Sequence, residues 1–107
     1  MLLREIAHAR TGDKGNIVTI SVIARRREGF DTIARIVTAE RVSAHFAAIV
    51  DRPAVRYVLP HLGALNFVLY RPEGQAVTRS LALDAHGKCL GSSLLGMEIE
   101  GEQSGTV

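Results

Sequence analysis

Residues Ala9 to Asn16 read "ARTGDKGN", with two glycines bracketing an Asp-Lys pair and an arginine and an asparagine on either side. Successive backbone N–H groups in a glycine-rich turn form a concavity for anions, and Arg10 and Lys14 would add charge for a phosphate or carboxylate. An alternative gives the stretch no ligand: Asp13 pairs with Lys14 or caps the turn, and Gly12 and Gly15 serve only its geometry. The sequence leaves both open. A Walker A loop is excluded, because the Gly-Lys-[Ser/Thr] order and spacing are missing.

Other chemistry has less support. His8, His45, His61 and His86 include no i, i+4 pair and no cysteine at ligand spacing, so no metal site is expected. His86 reads as a solvated turn residue and His45 as a partly buried imidazole beside a helical stripe. Cys89, the single cysteine, excludes an internal disulfide framework and reads as a small packing residue, although Lys88 beside it could lower its pKa. Ser80 lies on no Gly-x-Ser-x-Gly elbow. An acid-base cluster of Asp13, Lys14 and His8 is compatible with the spacing without being required by it.

The elements that must position these residues follow from periodicity. Val18, Ile20, Val22 and Ala24 alternate with Thr19 and Ser21, which predicts a half-buried strand over Ile17 to Ala24. A shorter strand over Leu3 to Arg10 precedes it, so Thr11 to Asn16 would connect the two, with its glycines at positive φ. Phe30, Ile33, Ala34 and Val37 form a helical stripe, with Asp31 near its start; Val42, Phe46, Ile49 and Val50 form a second, with Thr38 as N-cap and Glu40 in the first turn. Helical structure ends before Pro53. Ala54 to Leu59 is then extended and Pro60 stops it. His61 to Tyr70 matches either period, and a helix is favoured. Pro72-Glu73-Gly74 reads as a turn. Val77 to Asp84, the turn "DAHG" and Lys88 to Ile99 predict a terminal hairpin.

These elements define one α+β domain, a mostly antiparallel sheet with helices packed on one face. The length of 107 residues suits one core, and 47% hydrophobic residues suffice to fill it. A net charge of +2, with only Arg25-Arg26-Arg27 as a basic run, gives no nucleic-acid footprint. No apolar run reaches the ~20 residues of a membrane span, and the charged start "MLLREI" lacks a secretory h-region. With the lone cysteine, this predicts a cytoplasmic protein. Residues 1–100 form the expected domain, and 101–107, with little to bury, a frayed tail.

The ordered set "ARTGDKGN", "ISVIAR", "VRYVLPHLGALNFVLY", "VTRSLALDAHGK" and "LGSSLLGMEI" resembles the C-terminal ferredoxin-like domain of acyclic terpene utilisation (AtuA-like) proteins. The resemblance implies a ferredoxin-like sandwich. It also implies a setting in the breakdown of branched isoprenoids as CoA thioesters, where such modules accompany a much larger domain. The implied partners are an AtuA-like large-domain protein, further copies of the chain, and possible acyl-CoA or another anionic small molecule, with no cofactor. Arg10, Gly12, Asp13, Lys14, Gly15 and Asn16 form the candidate site, supported by His8, His61, Asn66 and Arg79 from the matching segments. Thr11 to Asn16 and His61 to Asn66 are expected near the partner contact. One departure stands out: Ile17, Val18 and Thr19 follow GDKGN where the family carries a polar stretch, so polar contacts expected just beyond the loop would be absent. Two classes stay open, a non-catalytic assembly module and a small enzyme or ligand binder acting on an acyl-CoA or acidic metabolite.

Overall fold

A computed structural model describes residues 1–72 and 89–99. Four strands, β1 (Ala7–Lys14), β2 (Ile17–Ala24), β3 (Val55–Leu59) and β4 (Ala64–Tyr70), form one sheet in the order β1-β2-β4-β3, each neighbour antiparallel. Among the described residues three helices, α1 (Phe30–Ile36), α2 (Ala39–His45) and α3 (Cys89–Leu95), join the sheet in an α+β sandwich. Among the described residues no helix is long and apolar enough to cross a membrane.

The inner face of the sheet is set by alternation. Val18, Ile20 and Val22 of β2 and Leu65, Phe67 and Leu69 of β4 are all but fully buried, and they share one core with Ile33, Val37, Val42, Phe46, Leu90 and Leu94 from the helical layer. The first expected helical stripe forms in α1 with Val37 as its C-cap; of the second only Val42 lies in α2, since Phe46 is the C-cap and Ile49 and Val50 follow the helix, where they still pack against the core. Thr38, in extended conformation, separates the two helices and caps α2 by accepting from the amide of Arg41 at 3.1 Å. Arg56 on β3 donates through Nη1 to the carbonyls of Ala34 and Val37 at 2.8 and 2.9 Å, placing a cation where the end of α1 leaves carbonyls unpaired.

Three expectations need correction. Leu3–Glu5 is a 3-10 turn and β1 runs on to Lys14, so the connection to β2 shrinks from Thr11–Asn16 to Gly15-Asn16. Gly15 alone takes positive φ (65°) and Gly12 is ordinary strand; a two-residue turn with glycine first suits the twist of the flanking strands. His61 to Tyr70 is not a helix: Gly63, at φ 62°, ends a 3-10 turn over Pro60–Leu62, and β4 follows with strict period-2 burial. Leu62, assigned to an apolar helical face by the sequence, is 69% exposed.

The second arm of the expected terminal hairpin is helix α3, whose Leu90 and Leu94 lie one turn apart and enter the core. Its strand-like remainder is one bridge, Leu2 with Glu98. The first arm, the DAHG turn with His86, Ser80 and Arg79, and the tail from 101 lie outside the described residues.

Candidate functional site

The stretch that raised the question of a site is mostly framework. Thr11 points inward, and its Oγ1 accepts from the amide of Gly91 in α3 at 3.0 Å. That approach depends on Gly91 having no side chain, since a Cβ there would come within 2.5 Å of Thr11 Oγ1. Asn16 donates through Nδ2 to the carbonyl of Arg71 at 3.3 Å, and the Arg71 amide donates to the Asn16 carbonyl at 2.8 Å. The Arg71 guanidinium, 6% exposed, donates from Nη2 to the carbonyl of Gly15 at 2.9 Å, while its Nε is buried without a partner. The turn is thus held from the end of β4, by a residue that sequence reasoning missed. No local signal marks it, because the contact spans more than fifty positions.

The candidate polar side chains divide between two faces. On β1, His8, Arg10, Gly12 and Lys14 point outward, opposite Ile23, Ser21, Thr19 and Ile17, whereas Asp13 lies on the inner side with Thr11. Asp13 therefore does not join Arg10 and Lys14 in one cluster, and those two cations stand about 13 Å apart along the strand. Among the described residues His8, Arg10, Asp13 and Lys14 make no side-chain hydrogen bond or ion pair. The pairing of Asp13 with Lys14, one of the two roles the sequence offered Asp13 in a ligand-free turn, is not formed.

His61 lies at the opposite end of the sheet from the Gly15 turn, about 20 Å away by strand rise. It borders a shallow cleft of about 490 Å³ shared with Arg27, Glu28, Phe30 and Asp31, and a neighbouring cleft of about 450 Å³ lies between Glu5, Arg25, Arg26 and Glu28. Both mix acidic and basic side chains, which favours no ion of either sign. No cluster of three or more metal-ligating side chains occurs among the described residues. His45, expected as a partly buried imidazole, is exposed and holds Nε2 at 3.0 Å from Ser93 Oγ, linking α2 to α3.

What the alternation does assemble is a surface. The register carries one row straight across the outer face, Arg10 to Ser21 to Asn66 to Tyr57. Asn66 donates through Nδ2 to Ser21 Oγ at 2.9 Å in its centre. On either side of this row stand Ile17, Ile23, Val55, Leu59, Val68 and Tyr70, and the described helices all lie on the other face. Tyr57 is 54% exposed. At one corner Arg52 stacks over the Tyr70 ring at 4.9 Å while donating to Asp51 at 3.0 Å; that hydrogen bond, more than the charge itself, holds the Asp51 carboxyl below its usual range.

An antiparallel sheet with one face buried under the described helices defines a small α+β fold. The chain matches the AtuA ferredoxin-like domain over residues 1–100, which is most of its length, and it belongs to that family. No curated protein and no solved structure gives a significant match.

Proposed function

We propose that this chain is an accessory, assembly-type module that docks on an AtuA-like large-domain protein in the catabolism of branched or isoprenoid acyl-CoA compounds. The observation that carries the reading is the outer sheet face. Exposed apolar side chains gathered on one sheet face mark an interaction site, and here they flank the polar row of Arg10, Ser21, Asn66 and Tyr57. Ile17, Val55, Tyr57 and Leu59 are exposed there, beside the cations of β1, which are unpaired among the described residues. A matching partner surface is apolar with an acidic margin that meets His8, Arg10 and Lys14.

The separation of the acid, base and cationic groups supports binding over chemistry. General acid-base catalysis needs its groups within hydrogen-bond reach of one reacting centre, and of Asp13, Lys14 and His8 the first lies on the opposite face of β1 from the other two, which stand about 20 Å apart along the strand. The setting rests on what the resemblance to AtuA-like proteins implies, and the exposed side chains of the outer face support docking as the means.

A second reading keeps the same cations for an anionic small molecule, an acyl-CoA or an acidic metabolite, which a small enzyme or ligand binder would hold along β1. Arg10 and Lys14, which make no side-chain hydrogen bond or ion pair among the described residues, favour it. Co-expression with an AtuA-like large-domain protein separates the two. Retention through purification is expected for the module, whereas turnover of an acyl-CoA by this chain alone would reverse the ranking.

A further inference from the structure

We infer that, in the absence of a larger partner, a second copy of this chain covers the outer sheet face, about a two-fold axis that runs along the strands between β2 and β4. The inference rests on reading that face as a docking surface. It adds the occupant of the face in the isolated protein.

The face is asymmetric across its strands. β1 carries His8, Arg10 and Lys14, with Gly12 leaving a gap; the centre carries the hydrogen-bonded pair Ser21 and Asn66; β3 carries Val55, Tyr57 and Leu59. Two sheets can be stacked by a two-fold axis in either of two directions. An axis across the strands sets β1 on β1 of the second copy, so Arg10 and Lys14 meet like charges. An axis along the strands reverses the strand order and sets β1 on β3 of the second copy.

In that second arrangement the observed register does the matching. Arg10 faces the partner's Tyr57, Gly12 faces the partner's Val55, His8 faces the partner's Leu59, and Ser21 near the axis faces the partner's Asn66. Among the described residues Arg10 has no hydrogen bond or ion pair, and a guanidinium over a tyrosine ring is attractive. The fold already contains this contact between Arg52 and Tyr70. Aligned sheets cross at about 30°, which shifts the outer rows most and leaves the central row in register.

The area fixes the strength. Four strands ~4.8 Å apart and about seven residues long make a face of roughly 450 Å². That is below the ~800 Å² per partner of a standard stable interface, so the dimer is weak, and a larger partner can displace the second copy.

Sedimentation velocity of the purified full chain from low micromolar to millimolar concentration tests this. A reversible monomer–dimer equilibrium is expected, with Arg10→Glu and Tyr57→Ala each raising the dissociation constant about tenfold and Arg35→Glu, on the helical layer, leaving it unchanged. Geometry is read by a short bis-maleimide in a Cys89→Ser background. Arg10→Cys mixed with Tyr57→Cys should cross-link, and Arg10→Cys alone should not. A chain monomeric at every concentration overturns the inference, as does self-linking of Arg10→Cys with none to Tyr57→Cys. A monomeric chain still retained by an AtuA-like large-domain protein overturns the dimer alone and leaves the docking reading standing.

Discussion

Arg71 holds the carbonyl of Gly15 at 2.9 Å from a side chain that is 6% exposed and, among the described residues, faces no carboxylate. A buried guanidinium with an unpartnered Nε carries a desolvation cost that one hydrogen bond does not offset. Its stem, in contrast, fills space beside the turn. Arg71→Ala should therefore cost about 2–4 kcal/mol through the cavity and the freed Gly15 carbonyl, and Arg71→Met, which keeps the volume, under about 1 kcal/mol. Urea denaturation measures both. Equal losses would mean that the charge itself is required.

The meeting of α3 with β1 makes a sharper prediction. Gly91→Ala drives a Cβ to within 2.5 Å of Thr11 Oγ1 and should cost about 1–3 kcal/mol by overpacking. Thr11→Ala removes both the obstacle and the acceptor for the Gly91 amide, at about 1 kcal/mol. The double variant should be less destabilised than the sum of the singles, as expected for groups in direct contact. Strict additivity would contradict the observed approach of helix to strand.

Phe46 closes α2 as its C-cap residue and is 5% exposed in the core. Phe46→Ala should cost about 3–5 kcal/mol, a large part of the stability of a small domain, while Lys14→Ala on the exposed end of β1 should stay within about 0.5 kcal/mol. Thermal melts of the two variants check it.

The anion reading of β1 has its own test. If a phosphate or CoA thioester lies along Arg10 and Lys14, saturable amide shifts should appear on β1 and the facing part of β2, and Lys14→Ala should weaken them. Shifts confined to the Arg25–Arg27 elbow, or none at millimolar phosphate or CoA, would reject that reading.

Several of these relationships were within reach of the sequence, and the reasons differ. β2 and the stripe of α1 show because one buried face imposes a period on each, whereas α2 ends at His45 and leaves Phe46, Ile49 and Val50 of the second stripe beyond the helix. β4 was misread because Leu62, Leu65 and Leu69 also fit a helix, and Gly63, which ends the preceding turn, gave no hint that it adopts φ 62°. α3 hid behind Gly91, Ser92 and Ser93, weak helix formers that leave only Leu90 and Leu94 as periodic residues. At the candidate site one boundary decides the geometry: once β1 extends to Lys14, alternation alone separates Asp13 from Arg10 and Lys14. Arg71, by contrast, owes its role to pairing across the sheet, which no local pattern encodes.

The central claim is that the outer sheet face is the surface through which this domain binds its partner. The most direct measurement is the affinity of the purified chain for an AtuA-like large-domain protein, compared between Tyr57→Glu on that face and Arg35→Glu on the helical layer. The account predicts that Tyr57→Glu weakens binding at least about tenfold, since it buries an unpaired carboxylate, and that Arg35→Glu leaves it unchanged. Undiminished binding by Tyr57→Glu, or loss of binding by Arg35→Glu alone, would contradict it.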